Sequence, residues 1–286
     1  MSKQNKKYFP SRFPQIQTAE ELRMYLDDTA SRLHHSPYVY HYTTYSNVIK
    51  MIKSRNWHLS NASTMNDKLE YKNGDPHRWH NLFFSCFMCE DKESIGMWSM
   101  YAQPWEKGVK ISIPKEVFRR WIKNTSEITE VLNGNNQSAE RTIIINENNA
   151  SLKISAVAYC NTDSLQENKE KEKIQWSNTT NTNIKEAVRI PELTGYVKDM
   201  AWSYEKEIRI KAEFENIYNI KRVAIPLTDE VLNNMTITLG PLFKNDFLLE
   251  LKKSLPNKTK IKKSIFSDRL NIKTICQQCE YKQRSE

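Results

Sequence analysis

The sequence Val-Tyr-His-Tyr-Thr at residues 39–43 predicts a short β-strand, and residues 46–55 directly behind it carry apolar side chains at helical spacing. Because side chains alternate along a strand, His41 and Thr43 should share one face and the two tyrosines the other. An imidazole beside a hydroxyl can hold the vicinal hydroxyls of a ribose. The alternative is a structural strand whose histidine caps the following turn.

Short strands outnumber helices along the rest of the chain. Apolar runs and alternating patterns predict strands at 57–60, 82–87, 108–113, 154–160, 202–211, 222–226 and 235–239. Helical spacing is found at 18–33, 94–101 and 184–199, and the polar segment 161–183 predicts a loop. Helices followed by many short strands favour an α+β fold over a doubly wound sheet. The sequence has no Gly-x-Gly-x-x-Gly and no Walker loop, so a nucleotide would have to bind in another way.

Composition excludes several classes of protein. With 286 residues, of which 38% are hydrophobic and 10% aromatic, the chain can bury a substantial core and is not disordered as a whole. It has no run of eighteen apolar residues, and the polar residues 1–12 lack the apolar region of a secretory signal. Five cysteines, an odd number, fit a reducing compartment. We therefore expect a cytoplasmic protein that does not associate with a membrane.

The formal charge of +9 is concentrated late in the chain, where six lysines lie between Lys252 and Lys263. A basic balance favours anionic partners such as nucleic acid, although a solvated lysine-rich face is the alternative. The patterns divide the chain into an N-terminal helical extension (1–37), a central domain (38–245) with a motif-free insert at about 124–183, and a basic C-terminal extension (246–286). That extension is predicted to be mostly helical, with a short strand at 272–275.

Residues 202–209, Trp-Ser-Tyr-Glu-Lys-Glu-Ile-Arg, have a charge pattern that suits catalysis. On a strand, Glu205, Glu207 and Arg209 would share one face, and the two carboxylates would lie roughly 7 Å apart. One carboxylate could hold a hydroxyl while the other polarises the nucleophile, and the arginine would keep both ionised. The alternative is a surface ladder of cross-strand salt bridges.

Aromatic and polar residues form weaker patterns. Tyr101 follows Trp98 by about one helical turn, so both could face one pocket and stack on a ring, or both could be ordinary core. Asn66-Asp67 with Glu70 could bind a metal or substrate, but also fits a turn with a helix cap. Cys-x-x-Cys pairs at 86–89 and 276–279 are a weak zinc signal, and no metal site is predicted.

In their order along the chain, these motifs resemble a bacterial family described as a domain of unknown function, over about residues 38–245. The motifs are Tyr40-His41-Tyr42-Thr43, Leu59-Ser60-Asn61, Asn66-Asp67, Glu70, Phe84-Ser85, Met97-Trp98-Ser99, Tyr101-Ala102, Gly108, Lys198, Trp202, Tyr204-Glu205, Glu207, Arg209 and Leu239-Gly240-Pro241. That family is similar to the ADP-ribosyltransferase superfamily. The resemblance implies a split antiparallel β core with N-terminal and C-terminal helices.

The resemblance also implies a set of site residues. In that superfamily a first-strand histidine binds the ribose of NAD, an aromatic side chain stacks on nicotinamide, and a late-strand glutamate is catalytic. The residues implied here are His41 with Thr43 for the ribose, Tyr101 or Trp98 for nicotinamide, Glu207 for catalysis with Glu205 to orient the acceptor, and Tyr42, Ser60, Asn61, Ser85 and Arg209 as further NAD contacts.

By this resemblance the chain is expected to be an NAD-dependent ADP-ribosyltransferase that modifies a macromolecule, with NAD as co-substrate. The positive charge favours nucleic acid, either RNA or DNA, as the acceptor. Of the two, RNA is the expected acceptor. The expected role is a toxin or phage-defence effector, with an antitoxin protein as partner. Two alternatives stay open: a non-catalytic nucleotide or nucleic-acid binding module on the same fold, and an RNA 2′-phosphotransferase. The predicted acceptor-binding residues are Lys258, Lys260, Lys262 and Lys263.

Overall fold

The computed structural model describes residues 36–67, 79–131, 141–146, 149–161, 173–178, 181–188, 195–215, 217 and 220–270, together with Met24 and Asp27. The strands are β1 (Tyr38–Thr44), β2 (Asn56–Asn61), β3 (Leu82–Met88), β4 (Gly108–Pro114), β5 (Glu127–Val131), β6 (Thr142–Ile144), β7 (Ala150–Ala156), β8 (Ala158–Asn161), β9 (Lys173–Asn178), β10 (Asn181–Val188), β11 (Val197–Asp199), β12 (Glu207–Phe214), β13 (Arg222–Pro226), β14 (Thr236–Leu239) and β15 (Lys260–Lys263). The α-helices are α1 (Tyr45–Ser54), α2 (Ile95–Tyr101), α3 (Lys115–Asn124), α4 (Asp229–Asn234) and α5 (Leu248–Ser254).

These strands form two sheets. Nine strands of the large sheet follow the order β15-β14-β4-β1-β3-β2-β13-β5-β6, while β12 pairs with β3 and β7 pairs with β12. The smaller sheet has the order β10-β9-β8-β11. Parallel pairing joins β14 to β15 and β8 to β11, and the other described pairs are antiparallel. A mostly antiparallel sheet with a few short helices is an α+β fold, as the sequence predicts.

The large sheet opens between β1 and β3. β1 pairs with β4 along its whole length, from Tyr38↔Pro114 onward, but its register with β3 is a single pair, Tyr40↔Met88. β2 pairs with β3 only through Ser60 and Asn61, while β12 pairs with β3 along its whole length. β1 and β2 therefore diverge, and the middle of β3 faces a gap between them.

A dense aromatic core lies under this gap. α3 is amphipathic, and its buried side chains are Val117, Phe118, Trp121 and Ile122. Trp57 of β2 stacks on Phe87 with ring centroids 5.2 Å apart, and its indole Nε1–H donates to Ser85 Oγ at 2.8 Å. Because the buried N–H is satisfied, the tryptophan can lie at the centre of the core without the cost of an unpaired donor. This packing fixes the floor on which β1 and β3 diverge.

Most element predictions in the first third of the chain are confirmed. The strands predicted at 39–43, 57–60, 82–87 and 108–113 are β1 to β4, and the helix predicted at 46–55 is α1. Thr44 caps α1 by accepting a hydrogen bond from the Asn47 amide, and Arg55 ends the helix in the left-handed conformation, φ 55°. The turn from strand to helix is thus set by local chemistry that the sequence shows.

The strand predicted at 202–211 is wrong in its first half. Asp199 accepts a hydrogen bond from the Ala201 amide at 2.8 Å and starts a 3₁₀-helix over Met200–Glu205. Lys206 ends this helix with φ 46°, and β12 begins only at Glu207. Glu205 therefore does not share a strand face with Glu207, although the alternating sequence suggested that it would.

Four further predictions are wrong in the middle and at the end of the chain. The strand predicted at 154–160 is interrupted at Val157, whose amide donates to the Glu207 carbonyl, so β7 and β8 join different sheets. The predicted loop at 161–183 and helix at 184–199 contain β9, β10 and β11, because ladder hydrogen bonds outweigh local polarity. Within its described residues 246–270, the C-terminal extension has the short α5 followed by β15, so this part is not mostly helical. Residues 272–275, both Cys276 and Cys279, and most of 18–33 lie outside the described residues.

Candidate active site

A cavity of about 300 Å³ lies where β1 and β2 diverge from β3. All three strands contribute to it, and the 3₁₀-helix before β12 closes one side. The lining residues are Tyr40, His41, Tyr42, His58, Ser60, Thr64, Met65, Asn66, Phe84, Ser85, Cys86, Phe87, Met88, Met97, Tyr101, Lys198, Glu205 and Glu207. The cavity thus combines aromatic walls with a few convergent polar groups, as ligand sites generally do.

His41 fills the gap that the diverging strands leave beside β3. Its Nδ1 lies 2.8 Å from the Cys86 carbonyl oxygen, and its ring packs against Trp57 and Phe87. Burial lowers the pKa of His41 from its ordinary 6.5, so the imidazole is neutral at physiological pH. A neutral ring that donates from Nδ1 keeps a lone pair on Nε2, which can accept a hydrogen bond from a ligand hydroxyl.

We expect this histidine to make folding sensitive to acid. Below pH 6.5 an unfolded chain binds a proton that folded His41 resists, so the free energy of unfolding falls as the pH drops from 6.5 toward the lowered pKa. The slope from this one group is at most about 1.4 kcal/mol per pH unit. Urea denaturation between pH 5 and 7 measures it, and His41→Asn, whose amide can keep the bond to Cys86, should flatten the slope. Equal slopes in the two proteins would contradict the assignment.

Glu207 is held by two cations inside the cavity wall. Arg209 donates from Nε to Oε1 at 2.7 Å and from a terminal nitrogen to Oε2 at 3.0 Å, and Lys198 Nζ lies 3.4 Å from Oε2. The Tyr159 hydroxyl accepts a hydrogen bond from the Glu207 amide at 2.9 Å. Burial would raise the pKa of Glu207, but Arg209 and Lys198 outweigh it and lower the pKa. The carboxylate is therefore ionised throughout the physiological range.

The pKa of Glu205 is shifted in the opposite direction from that of Glu207, although both carboxylates lie beside the same lysine. Lys198 Nζ is 2.5 Å from Glu205 Oε2, and the Tyr101 hydroxyl donates to Oε1. Burial and the negative charge of Glu207 raise the pKa of Glu205. Two carboxylates on one lysine therefore differ in proton affinity, and such a pair suits a site in which one group stabilises charge and the other takes up a proton.

The structure brings seven of the predicted site residues to this cavity: His41, Tyr42, Ser60, Ser85, Tyr101, Glu205 and Glu207. It does not bring Trp98 there, because that side chain is fully buried beneath Tyr42 and its Nε1–H donates to Glu93 at 3.1 Å. Asn61 instead caps the 3₁₀-helix Ala62–Thr64 and donates to the His80 carbonyl. Arg209 is fully buried behind Glu207, and Thr43 faces a neighbouring cavity.

The predicted acceptor lysines lie on the far side of β1 from β3. All four are exposed, and β15 carries Lys260, Lys262 and Lys263. Lys262 on β15 pairs with Thr238 on β14, and Thr238 pairs with Lys110 on β4. Lys110 in turn pairs with Tyr42 on β1, which lines the cavity. This row crosses three strand spacings, roughly 14 Å. Lys260 shares that face, whereas Lys263 belongs to the opposite face, in the row of Thr43.

The segment after β15 is fastened to the core by Glu93. Ser264 Oγ donates to Glu93 Oε2 at 2.5 Å, and Lys110 Nζ lies 3.6 Å from Oε1. Burial lowers the pKa of Lys110, and the charge of Lys262 adds to this lowering. The basic strand is thus part of the sheet, and its charge acts on groups that border the cavity.

Sequence reasoning assigned no role to two residues of the site. Lys198, on β11, appears in the motif pattern, but only the structure shows that it joins Glu205 to Glu207. Tyr159, on β8, lies in the segment that was expected to be a motif-free insert, and nothing in its sequence neighbourhood sets it apart. Both strands belong to the smaller sheet, so the carboxylates come from one part of the fold and their lysine from another.

Two classes of feature are missing from the described ranges. Within them no helix has both the length and the hydropathy that crossing a membrane requires. The same ranges hold no group of three or more His, Cys, Asp and Glu side chains placed to hold a metal ion.

Comparisons with known proteins add a family match. Residues 97–210, which are 114 of the 286 residues, match the model of a family described as "Protein of unknown function (DUF2971)". No curated protein sequence matches. Among solved structures, Thermus sp. 2.9 DarT in complex with ADP-ribosylated ssDNA is similar at 8% identity, with 80% of this chain and 94% of that chain covered and a TM-score of 0.32. The same protein in complex with NAD+ is similar at 9% identity, with 80% of this chain and 95% of that chain covered and a TM-score of 0.33.

Proposed function

We propose that this chain is an NAD-dependent ADP-ribosyltransferase that acts on a macromolecule, with residues 38–245 as its catalytic domain and a split β core of the type found in that superfamily. One observation carries the proposal. Neutral His41 and ionised Glu207 line the same cavity, at the point where the sheet opens, although 166 positions separate them in the sequence. The sequence motifs predicted these two residues for the ribose and for catalysis.

The cavity groups divide the work of holding NAD. His41 Nε2 accepts from a ribose hydroxyl, while Ser60 and Ser85 offer further hydroxyls. Tyr101 and Tyr42 provide aromatic surface for the nicotinamide ring, and stacking on such a ring contributes about 0.5–1.5 kcal/mol beyond burial. Glu207 offers negative charge to the cationic ring and to the positive charge that develops on the ribose.

The reaction breaks the bond between the ribose C1′ and the nicotinamide nitrogen. The electron pair of that bond stays with nicotinamide, which leaves as a neutral molecule, and C1′ acquires oxocarbenium character. Glu207, kept ionised by Arg209 and Lys198, stabilises this charge from the buried wall of the cavity. A nucleophilic atom of the acceptor then bonds to C1′, and its proton passes to the carboxylate of Glu205. Without an acceptor, water takes its place and the products are ADP-ribose and nicotinamide.

The test is incubation with NAD labelled in its adenylate part. We expect nicotinamide release, and label transferred to an RNA, DNA or protein fraction from cells. Release of nicotinamide without transfer would support the cavity assignment and leave the acceptor to be found. The binding-module alternative predicts NAD binding with no release, and the phosphotransferase alternative predicts that release requires RNA carrying a 2′-phosphate.

Replacement of Glu205 by Gln should separate transfer from hydrolysis. The amide oxygen of Gln can still accept from Lys198 and its NH2 group can donate to the Tyr101 hydroxyl, but Gln cannot take the acceptor proton. Loss of a general base typically costs about 10²–10⁴ in rate. We expect transfer to fall at least about a hundredfold and NAD hydrolysis much less. In the wild type, transfer should rise with pH through the raised pKa of Glu205, because the ionised form is the base. Equal losses in the two reactions would contradict the assigned role.

For the acceptor we propose nucleic acid, with RNA favoured, and a role as a toxin or defence effector held in check by an antitoxin protein. The support is the charge of +9 and the four exposed lysines Lys258, Lys260, Lys262 and Lys263. Two of these, Lys260 and Lys262, share the sheet face of Tyr40 and Tyr42.

The two faces of β15 provide a matched test. If Lys260 and Lys262 contact phosphates, the logarithm of the binding constant for single-stranded RNA should fall by about 0.7 per log unit of salt for each contact. Lys260→Gln with Lys262→Gln should flatten the slope and raise KM for RNA. Lys258→Gln with Lys263→Gln removes the same charge from the turn and from the other face, and should change the slope less. Identical slopes in both double variants and the wild type would argue for a solubilising role.

A further inference from the structure

A second cavity, of about 250 Å³, adjoins the first through a shared wall of His41, His58 and Ser60. Its other lining residues are Thr43, Asn47, Lys50, Met51, Trp57 and Arg222. They come from β1, α1, β2 and β13, so the cavity lies between helix and sheet on the β2 side of the gap. It is a separate compartment from the lysines of β15, which lie beyond β4.

The two cavities differ in charge. The first contains both carboxylates and a lysine bonded to them, whereas the lining of the second includes Lys50 and Arg222 and has no acidic residue. Neither cation forms an ion pair within the described part of the chain. Both side chains are exposed, so their charges are accessible to an anion that enters the cavity from solution.

The backbone aims these cations and several hydrogen-bonding groups at the same space. Asn47 and Lys50 lie at i and i+3 on α1 and therefore share a helix face, and the side-chain Nδ2 of Asn47 donates to Thr43 Oγ1 at 3.1 Å. Arg222 pairs directly with Ser60 across β13 and β2, so these two side chains share a sheet face. Lysine, arginine, hydroxyl and amide groups together match the charge and the acceptor oxygens of a phosphate.

We propose that the second cavity is a phosphate-binding subsite in which Lys50 and Arg222 are the charged ligands. A ligand that spans both cavities would place its sugar beside Glu207 in the first cavity. Its phosphate would then lie between Lys50 and Arg222 in the second. The phosphate can come from the pyrophosphate of NAD or from the backbone of a nucleic-acid acceptor. The subsite is inferred from the charges of Lys50 and Arg222, and only the choice between these two sources of phosphate rests on the proposed function.

The first arm of the test uses inorganic pyrophosphate as the probe, with no NAD present. Titration calorimetry at low salt should show binding to the full-length protein, and Lys50→Gln with Arg222→Gln should weaken it about tenfold or more, or about 1.4 kcal/mol. The matched control is Lys53→Gln with Lys221→Gln. These exposed residues lie on the same helix and next to the same strand, and neither lines either cavity. Absence of binding, or equal weakening in both double variants, would overturn the proposal.

The second arm identifies the source of the phosphate. If NAD supplies it, the Lys50/Arg222 double variant raises KM for NAD in hydrolysis without an acceptor. If the acceptor supplies it, hydrolysis keeps its KM and transfer shows a raised KM for nucleic acid. Either result supports the subsite. A wild-type protein that binds pyrophosphate but releases no nicotinamide would refute the proposed function and leave the subsite standing, so the two failures are distinguishable.

Discussion

Shortening Glu207 to Asp is expected to lower the rate of nicotinamide release by about a hundredfold, because a displacement of about 1 Å at a reacting centre can cost that much. Asp keeps the negative charge between Lys198 and Arg209, so the buried cations retain a partner. The matched control is Glu213→Asp, an identical change on the same strand and outside the cavity, which should leave the rate unchanged. Steady-state nicotinamide release with circular dichroism as a folding check measures both.

The Glu207→Gln variant tests the charge itself but needs a stability measurement beside it. Gln preserves the volume and should abolish detectable transfer. In the structure this variant removes a charge from a cluster in which Arg209 is fully buried. Breaking a buried pair by removing one partner typically costs about 3–5 kcal/mol. Rates close to wild type in both the Asp and the Gln variant would end the catalytic assignment.

Replacement of Arg209 by Met is expected to lower the free energy of unfolding by about 3–5 kcal/mol. The guanidinium makes two hydrogen bonds to Glu207, a third to the Gly195 carbonyl at 2.9 Å, and lies over the Phe84 ring. Met replaces most of the volume but takes the closest cation away from the Glu207 carboxylate. We expect the remaining activity to fall with the folded fraction and with misplacement of Glu207.

Arg55→Met is the matched control for this prediction. Arg55 also pairs with a carboxylate, Asp229 at 2.7 Å, but the two side chains are 54% and 78% exposed. Exposed pairs contribute about 0–1 kcal/mol, so urea denaturation should separate the two variants by several kcal/mol. Similar losses in both would mean that burial of the Arg209–Glu207 pair has no energetic consequence. The double variant Glu207→Gln/Arg209→Met then measures the coupling between the partners.

The sequence predicted those parts of the site that depend on local pattern. His41 could be placed because a strand followed by a capped helix is visible in the residues themselves, and Tyr101 because α2 follows from its own spacing. Glu207 was placed in the correct strand, but Glu205 was not, because the turn at Lys206 depends on the cap at Asp199 and not on alternation.

Residues that reach the site through long-range pairing could not be predicted. Lys198 and Tyr159 arrive through a second sheet, in which β9, β10 and β11 were expected to be loop or helix and β8 was expected to continue β7. Lys50 and Arg222 meet only because α1 and β13 both pack beside β2. The spacing of residues along the sequence does not predict that these two side chains lie close together, since their proximity depends on strand order. An α+β fold class can be inferred from spacing, but the order of eleven strands cannot.

The parallel pairing of β15 with β14 has a consequence for synthesis on the ribosome. All the cavity residues, from Tyr40 to Glu207, are translated before residue 260, so a nascent chain can contain the whole cavity while the outer edge of β14 still lacks its partner. An unpaired edge is a template for pairing with another chain. Translation that stops between β14 and β15 therefore yields a product with an open, aggregation-prone edge, and with Glu93 deprived of Ser264.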